Sequence, residues 1–321
     1  MALSAISTVY SYRHPETRQI IDSVLRSGFP HDVFLRATQP PGALDAFHEP
    51  IIERVLGFYR ADVPGLADFP HRYPTSGSEE GIREVMSALS EQGVRSIYVL
   101  RGDYEGYRAV AEQRGIRALE VDRTTDPREL AAGIFFLSNP SAIDGNIVPN
   151  ERILALAEAG HRIFYDLAYL GSTRPHTFDL SHPSIFAAVI SFSKSYGLFY
   201  DRIGFTLARH PVASLVGNKW FKGIFGLMIA DAVVRTLAPG QLFATYRPVQ
   251  ESILGEIRQA TGLSLRPSDA FLLAHLPAAA AAALDAPERD LIARFRRGDD
   301  YRFCLTPYFV ARDPEYGARR S

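Results

Sequence analysis

The chain has 321 residues, 46% hydrophobic and 22% charged, which is enough apolar material for one large α/β domain and a smaller one. Its 35 basic and 36 acidic side chains nearly cancel, so nothing in the charge supports a nucleic-acid or membrane-surface role. Cys304 is the single cysteine, which excludes disulfide frameworks and cysteine-built metal sites, and no metal is expected. No apolar run approaches the roughly 20 residues of a membrane span. The first residues lack a basic stretch followed by a long apolar one, so a soluble, cytoplasmic protein is the expectation.

In chain order, FHEPIIERVLGFYR (47–60) reads as a helix that opens the larger domain. YPTSGSEEGIREVM (73–86) is a short strand, a Ser-Gly-Ser turn and an amphipathic helix. Strands follow at 96–100, 116–121, 133–138, 161–166, 187–193 and 203–208, with helices near 105–114 and 150–159. Such alternation predicts a mainly parallel sheet covered on both faces, with ligands beyond the carboxyl ends of its strands. The pattern turns helical from about 217 to 257, then gives two short strands within 263–277. A helix-prone segment with six consecutive alanines (278–297) and the strand-like DYRFCLTP complete a small α+β lobe. The expected division is 45–235 for the large domain, with 1–44 and 236–321 forming the small one. The ending ARDPEYGARRS is expected to fray.

The polar groups fall at strand ends. SFSKSYGLFYDRIG (191–204) brings Lys194 to the edge of a buried strand, with Ser191 before it and Arg202 after it. A lysine amine in a partly desolvated, cationic pocket loses its proton more easily and attacks carbonyl carbon. Ser191 and Arg202 supply a hydroxyl and a fixed charge suited to phosphate. Together they point to pyridoxal phosphate held by Lys194 as a Schiff base. In YDLAYLG (165–171), Asp166 and Tyr169 sit three apart and can face one cavity, where a buried carboxylate needs a cation such as a protonated pyridine nitrogen. Ser76, Gly77 and Ser78 offer backbone N–H groups and hydroxyls at a helix start; an ordinary N-cap explains them equally. Asn139, before Pro140, is either a loop opener or an amide donor to the ligand. Tyr104 is either packing or a face for a planar ring.

These motifs, in this order, resemble the fold-type I pyridoxal-phosphate enzymes, and within them the class I/II aminotransferases related to aspartate aminotransferase. Ser191, Lys194, Gly197-Leu198, Arg202 and Gly204 match the family's lysine motif, and Asp166-Leu167-Ala168-Tyr169 its Asp-x-Ala-Tyr. Asn139-Pro140-Ser141-Ala142 stands for its Asn-Pro-Thr-Gly, 27 residues before Asp166 and with Ala142 in place of the glycine. The resemblance implies a mainly parallel, seven-stranded sheet and a smaller lobe from the two termini. It implies that Lys194 carries the cofactor and shuttles protons, and that Asp166 pairs with the ring nitrogen. Tyr169 and Asn139 then meet the phenolic oxygen, with Asn139 also near the substrate, and Tyr104 stacks on the ring. Gly77, Ser78, Ser191 and Arg202 hold the phosphate, with Ser76 beside them. Arg302 clamps the substrate α-carboxylate. Family members are usually homodimers in which a partner tyrosine reaches the phosphate; Tyr59 is the candidate here, against the simpler reading of a packed aromatic. The segment 34–47, where the family covers its substrate, departs from the pattern.

The expected reaction moves an amino group between an α-amino acid and a 2-oxo acid. Its alternative is another pyridoxal-phosphate reaction on an amino acid: β-elimination, decarboxylation, racemisation or cyclisation. A cofactor-binding protein without catalysis is disfavoured by the presence of Lys194. A nucleotide-dependent transferase is disfavoured by the absence of GxxxxGK[ST] and GxGxxG runs.

Overall fold

The computed structural model describes residues 3–9, 12–27, 35, 41–218 and 223–318. Two sheets organise them. The larger has seven strands: β1 (His71–Thr75), β2 (Ser96–Leu100), β3 (Arg117–Val121), β4 (Ile134–Ser138), β5 (Arg162–Leu167), β6 (Ile185–Ser191) and β7 (Gly204–Ala208), in the spatial order β1-β7-β6-β5-β4-β2-β3. β7 pairs antiparallel with both neighbours, and every other pairing is parallel. β4 and β6 are buried at every position, as parallel strands covered on both faces must be. Their β-branched and aromatic runs are the sequence signature of that burial.

Helix α1 (Pro15–Arg26) and α2 (Pro41–Tyr59) precede β1. Helices α3 (Ser78–Glu91), α4 (Glu105–Gln113) and α5 (Asn150–Glu158) connect the strands. In α3, Ile82, Val85, Met86 and Leu89 recur at helical spacing and form its buried stripe. Glu79 and Glu80 stand in its first turn, where the helix dipole favours negative charge. The helix lies close to the sheet at Gly81, where an added Cβ would come within 2.2 Å of the Thr206 hydroxyl. After β7 come α6 (Ala213–Asn218), α7 (Ile224–Thr236) and the long α8 (Gln241–Thr261).

The smaller, antiparallel sheet has the order β10-β11-β9-β8, from β8 (Arg266–Pro267), β9 (Leu273–Leu276), β10 (Arg296–Arg297) and β11 (Asp300–Cys304). The segment 278–297 is not one helix. It breaks into α9 (Ala278–Ala282) and α10 (Ala286–Ile292), because Asp285 and Glu288 form a reciprocal capping box that starts a new helix after the alanine run. β10 then takes the residues expected at that helix's end. α11 (Thr306–Arg312) and α12 (Pro314–Ala318) follow. The expected fraying is not seen as far as Ala318, and residues 319–321 lie outside the described set. Asp313 is buried and paired with Arg18 at 2.8 Å. Ile6 bridges to Cys304, so the N-terminal arm adds to the small sheet. Most of segment 34–47 lies outside the residues whose side chains are described.

Tyr59 is a correction. It is 1% exposed at the end of α2, and its hydroxyl lies 2.7 Å from that of Tyr196. A side chain enclosed in its own core cannot extend to a neighbouring subunit, so the packed-aromatic reading holds.

Among the described residues no single helix is long and apolar enough to cross a membrane.

Candidate active site

The sheet's directions gather the polar motifs at one edge. β1 runs the same way as β6, since both are antiparallel to β7. Their carboxyl ends, Thr75 and Ser191, lie opposite the first residue of β7, Gly204. The turn before α3, the loop carrying Lys194 and the segment carrying Arg202 therefore meet at one point. The carboxyl ends of β2, β4 and β5 extend the same edge towards Tyr104, Ser138 and Asp166. A cavity of about 270 Å³ opens there, walled by both sheets and by Thr8 and Val9 of the N-terminal arm.

Lys194 is half-buried in this cavity. Its Nζ donates to the Tyr169 hydroxyl at 3.2 Å and lies 4.5 Å from that ring's centre. Asp166 lines the same space at 3% exposure. Its two oxygens accept from the Tyr107 hydroxyl at 2.8 Å and the Ala168 N–H at 2.9 Å. Burial pushes its carboxyl up to about 6, opposed by the Tyr107 bond and the Lys194 charge. Neutral donors hold this carboxylate, and it remains open to a cation brought into the cavity.

On the phosphate side, Gly77 takes φ +78, and a Cβ there would come within 3.0 Å of the Arg202 guanidinium. The backbone there, φ +78 and ψ −177, is one that essentially only glycine adopts. Arg202 itself has φ +52, the one positive φ among described non-glycine residues, a conformation that local structure must enforce. Its Nη2 donates to the Ser76 carbonyl at 2.7 Å. Ser76 thus meets Arg202 through its backbone, while Ser78, Ser191 and Arg202 line the cavity. Ser193 also lines it, and its buried Oγ has no partner. An orphaned hydroxyl in a cavity also lined by a guanidinium and the start of a helix fits an anion.

Tyr104 caps the start of α4 and lines the cavity, its hydroxyl donating to Glu79 at 2.7 Å. Burial and the Glu79 bond both raise its pKa. Gly106 lets the ring lie flat on the helix, since a Cβ there would meet the ring at 2.3 Å. Arg302, 5% exposed on β11, reaches the cavity with its Nη atoms on the carbonyls of Ala142 and Ser7. Its Nε has no partner.

Asn139 is elsewhere. Its amide donates to the Val148 carbonyl at 3.0 Å and the Tyr165 hydroxyl at 2.6 Å, and its oxygen accepts from the Val148 N–H at 2.9 Å. It staples the base of its loop and does not line the cavity; Ala142, three residues on, does.

Sequence reasoning passed over Ser193, Tyr107 and Asp103. Asp103 is 7% exposed, accepts from the Tyr104 N–H at 2.7 Å and the Ser138 hydroxyl, and burial lifts it to about 6. Ser138 Oγ in turn accepts from the Ala142 N–H at 2.7 Å. Asp103 thereby ties the Tyr104 turn to the loop whose carbonyl anchors Arg302. The available signal was spacing: Tyr107 is one helical turn past Tyr104, and Ser193 alternates with Ser191.

Comparisons with known proteins agree with this arrangement. The profile of the aminotransferase class I and II family matches residues 72–294. A histidinol-phosphate aminotransferase of Vibrio parahaemolyticus is 28% identical over 76% of this chain and 77% of its own. One of Syntrophotalea carbinolica is 30% identical over 45% of this chain and only 43% of its own length, so the chain matches less than half of that relative. Among solved structures, the histidinol-phosphate aminotransferase of Sinorhizobium meliloti, in complex with pyridoxal-5'-phosphate, superposes with a TM-score of 0.66. That match covers 100% of this chain and 92% of the other at 17% identity, a likeness of fold. The match over most of the large sheet and the small lobe's beginning makes this chain a member of the class I and II aminotransferase family.

Proposed function

We propose that the cavity holds pyridoxal phosphate and that the protein moves an amino group between an α-amino acid and a 2-oxo acid. The observation that carries this is the convergence of the Lys194 amine, 3.2 Å from the Tyr169 hydroxyl, and the buried Asp166 carboxyl in one cavity. Ser193, Ser191, Ser78 and Arg202 would hold the phosphate, and the orphaned Ser193 hydroxyl is what such an anion would satisfy. When bound, the cofactor supplies an aldehyde for the amine and a ring that withdraws electrons from the substrate's α-carbon.

The chain's own residues do the rest. Asp166 keeps a proton on the ring nitrogen by pairing with the charge that results, and Tyr107 steadies the carboxylate. Tyr104 provides the aromatic face. Tyr169 holds the Lys194 amine in position and stabilises negative charge on a neighbouring oxygen. Arg302 orients the α-carboxylate, so that the α C–H bond faces Lys194. The Lys194 amine would take that proton and hand it to the carbon on the other side of the substrate nitrogen, the one the cofactor's aldehyde contributes, general acid–base work at a single nitrogen. With Asn139 committed to Val148 and Tyr165, Tyr169 is the side chain left for the phenolic oxygen.

The working form is taken to be a cytoplasmic homodimer, as the family resemblance suggests; sedimentation of the purified protein tests the dimer. For the reaction, borohydride treatment after incubation with pyridoxal phosphate should fix the pyridoxyl group on the peptide containing Lys194. Lys194→Ala should take up no covalent label and show no amino transfer. Label elsewhere, or normal turnover by the variant, would overturn the assignment, and release of carbon dioxide in place of a 2-oxo acid would change the reaction.

A further inference from the structure

In the β10–β11 hairpin, Arg297 lies opposite Asp300 and Arg296 opposite Tyr301. Side chains alternate faces along a strand, so Asp300 and Arg302 share one face, and Arg297 shares it across the ladder. Arg297 and Arg302 are therefore diagonal neighbours, with Cβ atoms roughly 7–8 Å apart. Both guanidinium groups line the cavity that contains Lys194. Asp300 is engaged elsewhere, by Arg123 and by the Ala278 N–H at 3.0 Å.

The position of Arg297 is fixed by backbone packing. Gly102 has φ +84, and a Cβ on it would come within 2.3 Å of the Gly298 nitrogen and 2.5 Å of the Arg297 carbonyl carbon. The hairpin turn thus presses against the turn that leads to Tyr104. Arg297 is held at the cavity mouth by two close-packed segments.

The present partner of Arg297 is Glu105, Nη1 to Oε2 at 2.7 Å, and Glu105 also lines the cavity. The pair is asymmetric: the Arg297 side chain is 21% exposed and that of Glu105 67%. Glu105 can rotate into water, while Arg297 has little freedom. An exposed pair of this kind is held by only about 0–1 kcal/mol. A carboxylate at this point also demonstrates that the geometry accepts anionic oxygen.

We propose that Arg297 is a second anion-binding group for the substrate, exchanged from Glu105 on binding, and that the preferred amino acids carry an anionic group on their side chain. Arg302 then takes the α-carboxylate and Arg297 the distal anion, a carboxylate or a phosphoryl oxygen. This rests on the role given to Arg302 above.

The test is calorimetric titration of the pyridoxal-phosphate-loaded protein with ligands that have no amino group to transfer at the α position. Glutarate and 3-phosphonopropanoate carry two anions, pentanoate carries one, and 5-aminopentanoate carries a distal cation. At least one dianion should bind about tenfold or more tightly than pentanoate, as expected for a charge-assisted contact, and which one does so identifies the distal group. Arg297→Met should erase the difference and leave pentanoate unchanged, Arg297→Lys should restore part of it, and Glu105→Gln should tighten the dianion. Equal binding of all ligands, a preference that survives Arg297→Met, or tightest binding of 5-aminopentanoate would overturn the proposal. Dianion selectivity without amino transfer from any amino acid would remove the reaction and leave the subsite. Transfer without that selectivity would do the reverse.

Discussion

Burial lifts the carboxyls of Asp166 and Asp103 from an ordinary 3.8 to about 6 each. Between those values the folded chain keeps protons that the unfolded chain has released. The penalty is absent below pH 4 and complete above pH 6, so stability falls as pH rises through that window. The limit is about 3 kcal/mol for each group, and less than twice that for both, because part of the rise at Asp166 comes from the Asp103 charge. Asp103→Asn combined with Asp166→Asn should flatten this part of the curve of Tm against pH in the cofactor-free protein. An unchanged slope would mean that both carboxyls are already charged at pH 4 to 6. Tyr107→Phe acts in the opposite sense on the same site: Asp166 loses a donor, its pKa climbs further, and its grip on a ring proton weakens. The expected outcome is about a tenfold fall in turnover, in line with a lost bond to a charged acceptor, with the acidic limb of the pH profile moved upward.

That Lys194, Asp166 and Tyr169 would meet at one cavity was legible because each lies at or just past the carboxyl end of β5 or β6, on the same edge of the sheet. Asn139 was not, because an Asn-Pro pair after a strand signals a turn but not which side the amide faces. Val148 of the same loop, nine residues on, claims that amide at both ends. Asp103 and Arg297 were hidden for a different reason. Each gains its meaning from a contact across more than 30 residues, Asp103 with Ser138 and Arg297 with Glu105, and local patterning carries no trace of such contacts.

At the scale of elements, the start of α3 depends on one glycine. Gly77→Ala introduces a Cβ at φ +78 and directs it at the Arg202 guanidinium 3.0 Å away. At φ +78 and ψ −177, a region essentially reserved for glycine, the backbone strain is about 1–3 kcal/mol, and the displaced guanidinium should weaken pyridoxal phosphate binding about tenfold or more. Gly93 provides the control: it has φ +86 and nothing within 4 Å of a new Cβ. Gly93→Ala should also lose stability by urea unfolding and retain cofactor affinity. If both variants bind the cofactor equally well, the contact between Gly77 and Arg202 is irrelevant to the phosphate. The helices between the strands could be read from periodicity, since each buries a stripe, and β4 to β7 from their nearly unbroken apolar runs. In the small lobe the two strands within 263–277 and the one at DYRFC were legible too, whereas β10, two residues long, is too short for any pattern and fell inside a segment expected to be helical.

Across the whole molecule, the two chain ends converge on the cavity. The N-terminal arm supplies Thr8 and Val9 to the wall, the Ser7 carbonyl to Arg302, and a bridge from Ile6 to Cys304. It is anchored behind by Arg18, which pairs with the buried Asp313 at 2.8 Å and with Glu315 at 2.9 Å, while Tyr12 donates to the same Asp313. The side chains of Arg18 and Asp313 are 14% and 2% exposed, so the pair is shielded from water and from salt. Removing one member leaves a buried charge without its counterion, a loss of about 3–5 kcal/mol for an enclosed pair. Arg18→Met should therefore lower the urea midpoint markedly, with little change when salt is added. Arg26, 83% exposed and 3.8 Å from Asp22, is the matching surface pair, and Arg26→Met should leave the midpoint where it is. Because the arm that Arg18 secures also carries the carbonyl under Arg302, the same variant should raise KM for carboxylate substrates more than it lowers kcat. A stable Arg18→Met protein with an unaltered KM would separate the anchoring of the termini from the geometry of the site.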